Sequence, residues 1–577
     1  MPLMGKSYIT IMINQLQENN MLLINKYYKN KEILMILKLY KHYCFIIVAV
    51  LFSIIFIQQP IFAQTAEPEL FNYQELVQLF EQEPISEPLQ KKLTSLLTTP
   101  FVNNEAYKQG VRPLNPSSKK LGHYLRVVAW NIERGLELEA IKLAFTDSKK
   151  FALLIDKNTT PISTKNRKYV LQQIEILKKA DVIILNEVDW GTKRTKYHNI
   201  VKELATTLNM NYAYGVEFVE VDPIALGIEK FENAQPDDKA SLLENIKVDA
   251  NQYKGLHGSA ILSRYHLDNV QLIPFTHQEH DWYSDEKSGV APFEIGKREA
   301  GEKVFLEKTV REVRRGGRMM LLADIASPNI PTGQATIVAT HIESRTKPEN
   351  RTKQLDEVLD KIKDIKHPVI LAGDMNTSTK DATPTSILRE IKKRFGSEEF
   401  WAKQAFKYVT GVGLLLNVVT SGIKFSRTQA DPTVRNIRFF SANPEAEFFN
   451  ILEDFRFSDK GKFDFRGNSS RSIDKRSGKL SNSNQRARKG FETTYETSRT
   501  IGPIGKFKLD WIFVKPPFLN KSKAKNLSYL FAPHFGHTLT TLNYAIEDRI
   551  SDHNPIVVDL PLNKPKDLAT TRNKMEK

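Results

Sequence analysis

Apolar residues in this chain fall into short unbroken runs separated by segments with helical spacing. LRVVAWNIE from Leu125, DVIILNEVDW from Asp181, GRMMLLADIA, QATIVATHIES, HPVILAGDMN, KFKLDWIFV and NPIVVDLPL each read as a buried β-strand rich in β-branched residues. Between them, NRKYVLQQIEILKKA (Asn166–Ala180) and RTKQLDEVLDKIKDI place apolar residues three and four apart, as amphipathic helices do. Continuous apolar strands alternating with helices predict an α/β fold whose sheets are covered on both faces. A Pro-punctuated lead-in over Glu67–Ser118 carries one further amphipathic helix, FNYQELVQLFEQEP.

Three polar stretches interrupt the rhythm. Val219–Asn251 and His277–Lys303 read as surface insertions, and the longest runs from about Thr383 to Thr500. The long one opens with SILREIKKRF, passes through the apolar Val409–Ile423 and ends in a Ser/Asn/Arg/Lys-rich tract. That tract has eight basic residues and one acidic residue between Arg466 and Lys489. Near the start, Cys44–Ile57 is an apolar run of 14 residues with Lys38 and Lys41 ahead of it and Ile61 and Ala63 at permissible cleavage positions. The run is shorter than the roughly 20 residues that span a bilayer, so it predicts a signal peptide, with an uncleaved membrane anchor as the alternative. The expected organisation is a leader over 1–63, a lead-in over 64–119, a domain over 120–562 with its insertion at about 383–500, and a basic tail over 563–577. Export, to the outside or to a periplasm, is the expected localisation.

Composition adds two constraints. The only cysteine is Cys44, so the body of the protein contains neither a disulfide nor a thiolate metal site. A formal charge of +16 favours polyanionic partners such as nucleic acid, an anionic membrane surface or a phosphorylated substrate. Removing Met1–Ala63 would take away six lysines and two glutamates and leave +12. Nothing in the composition points to a protein partner.

The candidate chemistry lies where the strands end. Asn131 follows LRVVAW, Glu187 follows VIILN, His341 follows TIVAT, and Asp374 and Asn376 follow VILAG. Asp510 lies within FKLDWIF, and Asp552 and His553 precede the final strand. Any one of these would be an ordinary turn or capping residue. Eight polar residues at strand ends gather at one sheet edge, where a rigid site can be held.

The strings AWNIERG, ILNEVDW, HGSAILSR, ATHIES, AGDMN, KLDWIFV and SDHNP, in this order from about residue 124 to 562, resemble the endonuclease/exonuclease/phosphatase superfamily, the deoxyribonuclease I-like fold. The resemblance implies a four-layer α/β sandwich: two mixed β-sheets packed face to face, with helices outside. It also implies a phosphoesterase that uses Mg²⁺, or Mn²⁺ or Ca²⁺ in its place. Glu187, Asn131 and Asp552 would serve the metal, which takes hard oxygen ligands. His553, held by Asp510, would act on the attacking water or the phosphoryl oxygens. Asp374 would position or deprotonate that water, while Asn376 and His341 would donate to the phosphoryl group. Tyr495, Arg499 and His257 are candidate substrate contacts. Glu133 reads either as a support for the site or as a surface ion pair, Arg351 and Gln354 as structural, and Trp130, Trp190 and Trp511 as core.

Substrates differ among proteins that share a fold. The basic charge and the basic tract favour a nuclease-like phosphodiesterase acting on nucleic acid. The apolar Val409–Ile423 stretch supports the alternative, a lipid phosphodiesterase or phosphatase of the sphingomyelinase or phosphoinositide phosphatase kind. A binding module with a degenerate site is disfavoured, because every expected catalytic position holds a competent residue.

Overall fold

The computed structural model describes residues 67–158, 161–228, 247–287, 312–377, 436–438, 441–466, 471, 493–501, 504–518 and 529–564. The leader with its 44–57 run, most of the long insertion including Val409–Ile423, the basic tract apart from Arg466 and Arg471, and the tail from 565 lie outside the described residues.

Eighteen strands are described: β1 Phe101–Asn103, β2 Ser117–Ser118, β3 Gly122–Arg134, β4 Val182–Trp190, β5 Asn211–Glu220, β6 Leu256–Ser263, β7 Asp268–Pro274, β8 Arg314–Gly316, β9 Met319–Ala326, β10 Gln334–His341, β11 Val369–Asp374, β12 Asn436–Arg438, β13 Ser441–Ala442, β14 Tyr495–Ile501, β15 Ile504–Phe507, β16 Asp510–Lys515, β17 His534–Thr538 and β18 Ile556–Pro561. A nine-stranded sheet runs β1-β5-β6-β4-β3-β18-β17, with β2 beside β3 and β8 beside β5; a five-stranded sheet runs β16-β11-β10-β9-β7. Two short hairpins, β12-β13 and β14-β15, complete the set. Both large sheets are mixed: β3 and β4 are parallel, as are β10 and β11, while the neighbours β18 and β16 run antiparallel to them.

Alternation along each strand divides the interior into three cores. Leu125, Val127 and Ala129 of β3 and Val182 and Ile184 of β4 face Ile337 and Ala339 of β10, Ile370 and Ala372 of β11 and Ile512 and Val514 of β16. The residues between them point the other way. Val128, Trp130, Ile183 and Leu185 pack under helices that contribute Ile141, Ile174 and Leu204. On the far side of the smaller sheet, Val338, Leu371, Trp511 and Phe513 lie against Leu355, Val358, Phe448 and Phe449. The result is helix, sheet, sheet, helix: the expected four-layer α/β sandwich.

The lead-in is built into this body. Asn72 caps the helix Tyr73–Glu81 through a reciprocal pair with Glu75, and Leu76, Leu79 and Phe80 join the helix-side core of the large sheet. β1 then pairs with β5 at that sheet's edge. The segment FKLDWIF, read as one strand, is divided between β15 and β16, with Lys508 and Leu509 between them. The Thr494 hydroxyl accepts the backbone N–H groups of Leu509 and Asp510 there, at 2.9 and 3.1 Å. Among the described residues, none of the helices is long and apolar enough to cross a membrane.

Candidate active site

Strand parity carries the polar residues to one place. Residues 127 and 129 of β3 face the inter-sheet core, and the next on that face is Asn131; for β4 it is Asn186, for β10 His341 and for β11 Asp374. β16 enters from the opposite direction, so Asp510 stands at its start. The register pairs His341 with Asp374, and Asp374 with Asp510, across three neighbouring strands. Beyond the inter-sheet core, at the edge where the parallel strands end, apolar side chains therefore give way to an Asn, Asn, His, Asp, Asp cluster.

Asp374 Oδ2 is its hub. Asn131 donates Nδ2–H to it at 3.2 Å and to Glu187 Oε1 at 3.1 Å. His341 Nε2 and His553 Nε2 each lie 3.6 Å from the same oxygen. His553 Nδ1 faces Asp510 Oδ2 at 2.8 Å, so the pair holds the ring in one orientation. Tyr495, another candidate residue, packs its ring 5.0 Å from that of His553. Asn376 sits in the left-handed region (φ 46°), donates its backbone N–H to Asp374 Oδ1 at 2.9 Å and turns its Nδ2 to Ile342 O at 2.8 Å. Glu187, also left-handed at φ 52°, breaks the alternation of β4 just after Asn186, and its side chain keeps 21% exposure.

The electrostatics follow from burial and close charges. Burial pushes the Asp374 carboxyl up to about 7, against the opposing pull of His553. Burial alone would lower His553, but Asp510 and Asp374 more than offset it, and the imidazole is held well above its ordinary range. His341 shifts the other way, well below its ordinary range, because it is buried and faces the Arg318 guanidinium.

The metal candidates form a connected edge. Ser551 Oγ donates to Asn131 O at 2.7 Å, Glu133 N to Asn131 Oδ1 at 3.1 Å, and Asp552 N to Glu133 Oε2 at 2.8 Å. Glu133 is fully buried, which settles its two readings in favour of a support for the site. Glu187, Asn131 and Asp552 offer hard oxygens with no sulfur, a donor set that fits Mg²⁺, Mn²⁺ or Ca²⁺. Asp374, Asp510 and His553 form a second buried group with ligand atoms within 4.8 Å of one another. There His553 Nδ1 is already engaged by Asp510.

The other two candidate substrate contacts are His257 and Arg499. His257 is buried with Nδ1 on Asp189 Oδ1 at 2.9 Å, and Asp189 is itself clasped by Arg194, which also grips Glu220. Arg499 belongs to β14, but its side chain lies outside the described residues. Trp130 and Trp511 are core residues, the former donating Nε1–H to His553 O at 2.9 Å.

A supporting layer stands behind these residues, and the sequence singled out only Ser259 of it, without a role. Asn186 Oδ1 accepts the Asp374 N–H at 2.9 Å, and its Nδ2 donates to Ser259 Oγ, also at 2.9 Å. Ser259 in turn donates to Glu217 Oε1 at 2.5 Å, and Glu217 Oε2 accepts from Arg318 Nη1 at 2.8 Å. Arg318 Nε meets Glu343 Oε2 at 3.3 Å. The available signal was a charge inside an otherwise apolar strand, as Glu217 is in YGVEFVE.

A model of the Endonuclease/Exonuclease/phosphatase family matches residues 128–553. No curated protein matches the chain. Among solved structures, it is similar to an endonuclease/exonuclease/phosphatase from Beutenbergia cavernae at 17% identity and TM-score 0.31, covering 76% of this chain and 72% of that one. It is also similar to the human Nocturnin catalytic domain with bound sulfate anion, at 13% identity and TM-score 0.31, covering 76% and 93%. A third similar structure is D. rerio TDP2 complexed with single strand DNA product, at 14% identity and TM-score 0.30, covering 76% and 98%.

Proposed function

The chain belongs to the endonuclease/exonuclease/phosphatase family, whose members hydrolyse P–O bonds, and on that premise we propose that it is an exported, divalent-metal-dependent phosphodiesterase acting on nucleic acid. The observation that carries the hydrolytic reading is the convergence of Asn131 Nδ2, His341 Nε2 and His553 Nε2 on Asp374 Oδ2, beside the Glu187 carboxylate.

Each group has a task set by its position. Asp374 Oδ2 is the acceptor placed for the proton of the attacking water, which it also orients. His553, held by Asp510, faces the same point and meets the negative charge that develops on the phosphoryl oxygens. Asn131 and His341 supply N–H donors around the centre. A divalent cation held by Glu187 with Asn131 and Asp552 would supply charge neutralisation at the phosphate and a more acidic water. Preference for nucleic acid is supported by the formal charge of +12 that remains without Met1–Ala63, and export by the apolar run preceding Gln64.

The test is a substrate panel on the chain from Gln64. Nicking of plasmid DNA that requires Mg²⁺ and disappears in His553→Ala is the expected result. Intact DNA and RNA together with cleaved sphingomyelin or bis-p-nitrophenyl phosphate would move the substrate to another phosphodiester and leave the chemistry standing. Inertness toward all of them with Mg²⁺, Mn²⁺ and Ca²⁺ would overturn the enzyme reading.

A further inference from the structure

The two histidines that flank Asp374 lie at the same distance from its Oδ2, 3.6 Å, but are fixed from behind by opposite charges. Behind His553 stands the Asp510 carboxylate, an acceptor. Behind His341 stands Arg318, whose Nη1 is 2.6 Å from His341 Nδ1. A guanidinium carries N–H donors and no acceptor. At this separation the ring nitrogen must present its lone pair, because an N–H there would point at another N–H. The ring's single proton is then on Nε2, the nitrogen that faces the reaction centre.

Arg318 is itself held where this contact requires it. Its Nη1 also donates to Glu217 Oε2 at 2.8 Å, and its Nε approaches Glu343 Oε2 at 3.3 Å. Glu343 is locked by Trp282 Nε1 at 2.9 Å and by the Arg345 N–H at 2.9 Å. Arg318, His341, Glu217 and Glu343 are all buried. Glu217 Oε2 is 3.6 Å from His341 Nδ1, on the same side of the ring as Arg318. Without the guanidinium, this carboxylate would draw the proton to Nδ1 and turn the Nε2 lone pair toward the phosphate.

We propose that Arg318 is a positioning residue that holds His341 as the neutral Nε2–H tautomer, making it a fixed hydrogen-bond donor to the phosphoryl group and neither an acid nor a base in the reaction. A neutral imidazole that gave up its Nε2 proton would become imidazolate, so the proton stays on the ring and the N–H stabilises developing charge by donation alone. The proton traffic falls to Asp374 and His553. The tautomer follows from the geometry of this chain alone, and its catalytic consequence rests on the hydrolase reading above.

The experiment is ¹⁵N NMR of the chain labelled on histidine, with His341 assigned by loss of its signals in His341→Gln. Wild type is expected to show one pyrrole-like Nε2 and one pyridine-like Nδ1 for this ring. A protonated Nδ1, in either the other tautomer or the imidazolium, overturns the proposal without any variant and without reference to activity. In Arg318→Met the proton is expected to move to Nδ1, and kcat to fall about 10²–10³-fold with KM changed little. A fall in kcat with the tautomer unmoved would make Arg318 merely structural and overturn the proposal. Because Arg318→Met strands two buried carboxylates, the double variant Arg318→Met/Glu217→Gln is measured beside it. There the carboxylate that draws the proton to Nδ1 is gone, and a larger share of the Nε2–H form is expected than in Arg318→Met; a share no larger overturns the competition between Arg318 and Glu217 on which the proposal rests. An unmoved wild-type tautomer in a protein inert on every phosphoester would instead overturn the hydrolase reading alone.

Discussion

Asn131 and Asp374 belong to different sheets and are joined by one hydrogen bond, Nδ2 to Oδ2 at 3.2 Å. The same amide holds Glu187 at 3.1 Å, so one small side chain fixes the spacing of two carboxylates that would otherwise repel.

Asn131→Ala removes that spacer. We expect kcat/KM to fall about 10²-fold or more, and stability by about 1–3 kcal/mol, as a buried acceptor loses its donor. Initial rates on bis-p-nitrophenyl phosphate and urea unfolding measure the two effects. Activity within about threefold of wild type would contradict the assigned role.

Asp510 and His553 should behave as one unit, since Asp510 meets His553 Nδ1 at 2.8 Å. Asp510→Asn and His553→Ala are each expected to lower kcat by about 10³-fold or more, and the double variant to be no worse than His553→Ala. Multiplicative losses in the cycle would show that the two act independently.

Gly373 tests the backbone beneath Asp374. It has φ 145°, and a Cβ added there would stand 1.8 Å from Thr340 O, on the neighbouring strand. Gly373→Ala must therefore separate β10 from β11 or distort the end of β11, and should cost roughly 3 kcal/mol or more. Thermal unfolding by circular dichroism reads this, and an unchanged midpoint would refute it.

His534 predicts an acid limit to stability. It is fully buried, its Nδ1 lies 2.8 Å from Ala532 O, and burial, aided by Arg471, pushes its pKa down to about 3. The unfolded histidine takes a proton near its ordinary value of about 6.5, whereas the folded one does not until far lower pH. Its contribution is fully present above about 6.5 and is lost as pH falls from there toward 3, by about 1.4 kcal/mol per unit. In urea unfolding at stepped pH, His534→Gln should show a shallower acid slope than wild type; parallel slopes would count against this account.

Much of the sandwich was legible because buried strands leave continuous apolar runs. β3, β4, β9, β10, β11 and β18 all stand where such runs occur, and the helix over Pro348–Ile362 where the spacing is helical. β17 was not legible: HFGHT is short and mixed, and it is a strand because β18 offers it an edge. The strand-end residues could be read one by one, since parity and chain order suffice for Asn131, His341 and Asp374. Their supports could not. Glu217 lies on β5 of the larger sheet and Arg318 just ahead of β9 of the smaller one, and a single sequence does not show which charges face each other between two sheets.

The position of β18 has a consequence for synthesis. This strand fits between β3 and β17, and Asp552 and His553 are set by the turn that leads into it. A nascent chain that has already made Asn131, Glu187, His341 and Asp374 still lacks both the imidazole and the strand that locates it. On the proposed assignment the catalytic set closes only after residue 561 has left the ribosome, so unfinished chains and C-terminal truncations ending before Ser551 are expected to be inactive.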